Sequence, residues 1–99
     1  MMWRHGDVLI ASVQTIPADA RQRRDVTLAR GEVTGHSHRV EAPDTADLWQ
    51  IDGQLFLRVV ADSARIVHDE HKAITLPRGV YQVWMQREYS PEAIRPVRD

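Results

Sequence analysis

Asp52-Gly53 lies between two apolar runs in DLWQIDGQLFLRVV, residues 47–60. A two-residue turn here needs a left-handed backbone at both central positions, which aspartate tolerates and glycine adopts freely. The stretch therefore predicts a β-hairpin in the middle of the chain. The rest of the sequence agrees with it. No segment sustains apolar residues at i, i+3, i+4 and i+7 over three turns, whereas short β-type runs between turn residues recur.

DVLIASV (7–13), introduced by Gly6-Asp7 and stopped near Pro17, predicts a strand rich in β-branched residues. DVTLARGEV (25–33) predicts another, with a bend or bulge at Gly31, and GHSHRVE (35–41) continues it or begins a third. PDTAD (43–47) reads as a turn or one short helical turn, and ARIVHDE (64–70) as a short strand. AITLPRGVYQVWMQREY (73–89) predicts a strand, a Pro-x-Gly turn at 77–79, and a longer strand. In that strand Tyr81, Val83 and Met85 point one way and Gln82, Trp84 and Gln86 the other. SPEAIRPVRD (90–99), with two prolines, reads as a tail or edge segment. The whole predicts an all-β domain over residues 1–89, a single small barrel or sandwich of about seven short, mostly antiparallel strands.

Composition bounds what such a domain can do. A hydrophobic fraction of 42% with 27% charged residues describes a folded chain. The net charge of −1 gives no global field to draw in nucleic acid or an anionic membrane. The absence of cysteine excludes disulfides, thiolate metal sites and a cysteine nucleophile. No apolar run approaches the roughly 18 residues of a membrane span. MMWRHGDVLIASV is too polar, and its apolar stretch too short, for a signal peptide. The expectation is a cytoplasmic protein with no membrane partner.

Chemistry concentrates in two places. Four of the five histidines fall in HSH (36–38) and HDEH (68–71). On a strand His36 and His38 project from one face, the common β-sheet arrangement for holding a divalent transition metal. Glu41 has the opposite parity. His68 shares the face of Ile66, and His71 follows across an acidic turn. Either can complete a site if the two strands are neighbours. The candidate metal ligands are thus His36, His38, His68 and His71. Neutral imidazoles favour Zn, Fe, Mn or Ni over the oxygen-seeking Mg and Ca. With one coordination position open, such a site suits a metal-dependent hydrolase acting on a small-molecule or phosphate-containing substrate. Glu41, Asp69 or Glu70 would then be the general base.

Two other readings stay open. Paired imidazoles can act without metal as acid and base in cleaving RNA or a cyclic nucleotide. The arginines of ARQRRD (20–25), with Arg39 and Lys72, would then hold phosphates. Alternatively the chain is a non-catalytic interaction module. Its long last strand would pair with another copy in a homo-oligomer, and Trp3, Trp49 and Trp84 would serve as core or interface anchors.

GEVTGHSHRVE and ITLPRGVYQV together resemble the two signature motifs of the cupins, small β-barrel proteins. The matching positions are His36, His38, Glu41, Pro77 and Gly79. The resemblance implies a barrel fold and a metal held by His36 and His38 with Glu41. Gln82 stands where that family has its third histidine, and the spacing from His38 to Glu41 is one residue shorter. The longer run that includes HDEHKAITLPRGVYQVWMQREY is also similar to small bacterial and phage-type proteins, a likeness that implies no activity.

Overall fold

The computed structural model describes residues 1–30 and 36–86. Its architecture is all-β: among the described residues, eight antiparallel strands in one sheet, with a 3-10 turn at 43–45. The strands are β1 (Met2–His5), β2 (Val8–Ser12), β3 (Arg21–Gln22), β4 (Thr27–Arg30), β5 (Ser37–Val40), β6 (Ala46–Ile51), β7 (Gln54–His68) and β8 (His71–Met85). The 3-10 turn is Pro43–Thr45, within the PDTAD stretch where a turn was expected. The 90–99 segment and the bend expected at Gly31 lie outside the described residues. No helix of the described residues is long and apolar enough to cross a membrane.

The hairpin at Asp52-Gly53 forms as its sequence demands. Both residues have positive φ, 52° and 77°, and Ile51 pairs with Gln54 across them. β7 and β8 differ from expectation. ARIVHDE is not a separate short strand but the second half of a 15-residue β7. Likewise, Pro77-Arg78-Gly79 does not turn the chain, because β8 runs unbroken for 15 residues through it. A β-bulge explains both differences. The register steps from Val59↔Gly79 to Ser63↔Pro77, so Val60, Ala61 and Asp62 face Arg78 alone. Pro77 brings no amide hydrogen to the ladder at this step. Arg78 ties the extra residues down, donating to the Ala61 carbonyl at 3.2 Å and to Asp62 at 2.9 Å.

A bulge bends both strands and increases their twist. Here it lets the two halves of β7 take different neighbours. Residues 54–59 pair with β6, and Val67 and Ile66 pair with Arg39 and Val40 of β5. On its other side β8 pairs with β2, which pairs with β1. The curled sheet closes over one core that includes Val8, Ile10, Leu48, Leu57, Ile66, Leu76 and Tyr81, each at most 2% exposed. Trp3 packs edge-on against Tyr81 with ring centroids 5.4 Å apart.

Two strands fall where none was expected. Met2–His5 pairs with β2 around Gly6-Asp7, making the N-terminus a hairpin arm. Arg21–Gln22, read from sequence as part of a local arginine group, forms β3 against Gln50 and Trp49 of β6.

Candidate metal centre

Three core-facing rows of side chains run toward the same end of the curled sheet, and each ends in histidine. In β5 the inward row is Val40 then His38. In β7 it is Ala64, Ile66, then His68. In β1 it is Trp3 then His5. His71 opens β8 and pairs with His68 across the two-residue Asp69-Glu70 turn. The β1–β2 turn, closed by His5 and Val8 around Gly6-Asp7, caps the same end.

All five histidines of the chain consequently sit in one ring-to-ring network. His38 lies 4.4 Å from His68 and 5.5 Å from His71, centroid to centroid, and His68 lies 4.7 Å from His71. One ligand atom from each of His38, His68 and His71 falls within 4.8 Å of the others, so these three can hold a metal ion. His38 is buried, His68 half-buried and His71 exposed, so the group opens toward solvent on the His71 side.

His36 and Glu41 stand outside that converging group. His36 precedes β5 rather than sitting in it, so strand parity with His38 does not govern its ring. Its Nδ1 is 3.5 Å from the Glu70 carboxylate, and its ring is 5.8 Å from His68. Glu41 follows β5. Its amide donates to the Arg65 carbonyl at 2.9 Å, and its exposed carboxylate pairs with Arg65 Nε at 3.1 Å. Asp69 is 3.9 Å from Arg39. The arginine run is not brought to the histidines by pairing: β3 lies against β6, and Arg23 grips Asp25 through two hydrogen bonds of 2.9 and 2.6 Å.

The sequence reading passed over His5, which is 2% exposed. Its Nδ1 lies 2.8 Å from His38 Nδ1, and its Nε2 lies 2.9 Å from the Lys72 carbonyl. The available signal was Gly6-Asp7. Read as a hairpin turn rather than a strand start, it would have made MWRH a strand and placed His5 on the row of Trp3.

Packing sets the electrostatics. Burial disfavours a charge on His38, and its neighbours His68, His5 and His71 add to this against the weaker pull of Asp7. Together they lower its pKa from 6.5 to about 4. His5 is lowered as well, mainly by burial, with the Lys72 carbonyl acting against that. At neutral pH both rings are uncharged, as metal ligation by His38 requires.

Gly6 holds the turn against this group. Its φ is +62°, and a Cβ there would come 2.7 Å from His71 Nε2 and 3.0 Å from His38 Cε1. Gly53 has a similar φ of +77° with nothing within 4 Å. Both Gly6→Ala and Gly53→Ala are expected to lose about 1–2 kcal/mol to the left-handed backbone. Only Gly6→Ala additionally displaces imidazoles. Denaturant unfolding of the two variants checks this, with Gly6→Ala predicted to be the less stable.

A family model described as a domain of unknown function (DUF8820) matches residues 4–86. No curated protein and no solved structure gives a significant match.

Proposed function

We propose that this chain, which belongs to the DUF8820 family, binds one divalent transition-metal ion through His38, His68 and His71 and serves as a metal-dependent hydrolase. The observation that carries the reading is the convergence of three imidazoles from β5, β7 and β8 within 4.8 Å. An all-imidazole set suits Zn, Fe, Mn or Ni and not Mg or Ca. Three protein ligands leave a tetrahedral ion one open position, and an ion so held can bring a water molecule's pKa to about 7.

The protein's own groups divide the remaining work. His38 is the buried, neutral ligand. His71, on the exposed side, faces the approach of a substrate. Among the described acidic residues near the clusters in sequence, Glu70 is the one that contacts a histidine of the network, at 3.5 Å from His36. The general-base role therefore goes to Glu70 with His36, while Glu41 is engaged by Arg65. His68 would have to adjust to hold an ion. Its Nδ1 accepts the Glu70 amide hydrogen at 3.0 Å, so its neutral ring carries a proton on Nε2. To ligate as a neutral imidazole, His68 would have to give up this amide bond, either offering Nδ1 itself or moving its proton to Nδ1 to free Nε2.

Metal analysis of protein purified without a histidine tag tests the reading. The expected result is about one equivalent of a transition metal per chain, removed by a chelator and restored by Zn²⁺ or Co²⁺. Failure to retain any of Zn, Co, Ni, Mn or Fe after reconstitution and dialysis would refute it.

A further inference from the structure

We propose that His5 is a positioning residue for the His38, His68 and His71 group, fixing His38 in the tautomer that keeps its free lone pair on Nε2. The inference rests on the metal-binding reading for its purpose. The proton arrangement follows from the hydrogen bonds between two uncharged, buried rings.

The Lys72 carbonyl can only accept, so the 2.9 Å contact requires a hydrogen on His5 Nε2. A neutral imidazole carries one N–H, which leaves His5 Nδ1 as an acceptor. The 2.8 Å contact to His38 Nδ1 then requires the hydrogen to reside on His38. His38, neutral in its turn, has its lone pair on Nε2. The chain of hydrogen bonds runs from His38 Nδ1–H to His5 Nδ1, and from His5 Nε2–H to the Lys72 carbonyl. Burial of both rings, at 2% and 6% exposure, keeps water from substituting for either partner.

Lys72 follows His71, so the backbone that positions one ligand also anchors the relay that orients another. A metal-ligating histidine commonly donates its second N–H to a fixed acceptor, which sets ring orientation and raises ligand basicity. His5 supplies that acceptor here from a different hairpin. The β1–β2 turn is brought within touching distance by Gly6, whose missing side chain leaves room for His71 and His38.

The experiment compares wild type, His5→Phe and His5→Gln by two readouts. The first is the imidazole nitrogen spectrum of ¹⁵N-labelled metal-free protein. The second is Zn²⁺ affinity by competition with a chelating dye. Wild-type His38 is expected as the Nδ1–H form. His5→Phe should lose that preference and bind Zn²⁺ about 10–100-fold more weakly. Glutamine retains one acceptor and one donor, so His5→Gln should recover much of both while filling the site without an aromatic ring.

If His38 is the Nε2–H form in wild type, or if His5→Phe changes neither its nitrogen shifts nor the affinity, the inference is overturned. If wild type shows the Nδ1–H form but binds no Zn²⁺, the metal reading fails while the tautomer relay stands. Should His5→Phe fail to fold, the wild-type nitrogen spectrum and His5→Gln still decide.

Discussion

Replacing His38 by alanine is expected to weaken Zn²⁺ binding by about two orders of magnitude. Structural zinc sites with four ligands are worth about 10–16 kcal/mol. A three-imidazole site at the lower end of that range loses roughly a third with one ligand, about 3 kcal/mol, which is a hundredfold or more. Truncating a buried imidazole also leaves His5 Nδ1 without its donor, so His38→Ala costs stability too. His68→Ala separates the two effects, because His68 is only half-buried and its removal disturbs the core less. Both variants should show the hundredfold loss. His36→Ala, outside the converging group, should stay within a few-fold of wild type. The comparison is made by chelator-competition titration of folded protein. A uniform small effect across the three variants would mean that the cluster does not select metal through His38 and His68.

Acidification of the metal-free protein is the second large effect. The His38 pKa is lowered in the folded chain, from 6.5 to about 4. Between those values the unfolded chain carries a proton on this ring that the native state refuses. Protons therefore favour unfolding, and stability falls as pH drops. The contribution is fully present above pH 6.5, is lost progressively toward pH 4, and changes no further below that. At about 1.4 kcal/mol per pKa unit, a displacement of this size amounts to roughly 3–4 kcal/mol. His5, lowered in the same direction, steepens the fall. Asp25 acts in a separate window. Arg23 holds its carboxyl below 3.8, so its contribution disappears only at more acidic pH. Urea unfolding from pH 7.5 to 3.5 should show the decline beginning below pH 6.5. A His38→Asn variant should show a flatter profile over that interval. A wild-type stability that rises on acidification from pH 6.5 to 4 would contradict the burial of a neutral His38.

The hairpin at Asp52-Gly53 and the all-β architecture were legible because turn chemistry and alternation are local. The continuity of β7 and β8 was not. In β7 the buried positions run Leu57 and Val59, then Ala64 and Ile66, so the phase of alternation changes across the bulge. In β8 it changes likewise between Leu76 and Tyr81. A strand whose phase flips looks like two short strands with a turn between, and Pro77-Arg78-Gly79 reinforces that impression. HDEH reads as a strand carrying His68 and an acidic turn leading to His71, and in the structure the two residues pair across that turn. Pairing of β5 with β7 brings His38 to them, and no local pattern encodes that pairing. Strand parity suggested His36 as a partner of His38, but the strand begins at Ser37, so parity does not reach it. His5 needed recognition that the first four residues after Met1 form a strand against Val8–Ser12. The cupin-type spacing points to His36, His38 and Glu41 as one ligand set. In the described geometry Glu41 is engaged with Arg65, and the ligand atoms that converge come from His38, His68 and His71.

X-ray absorption at the zinc edge of the loaded protein tests the central claim most directly. The predicted result is a first shell with three imidazole nitrogens at about 2.0–2.1 Å, one further light ligand, and no sulfur, losing one imidazole in His68→Ala. A shell of oxygens with one imidazole or none, unchanged in His68→Ala, would contradict a site built from His38, His68 and His71.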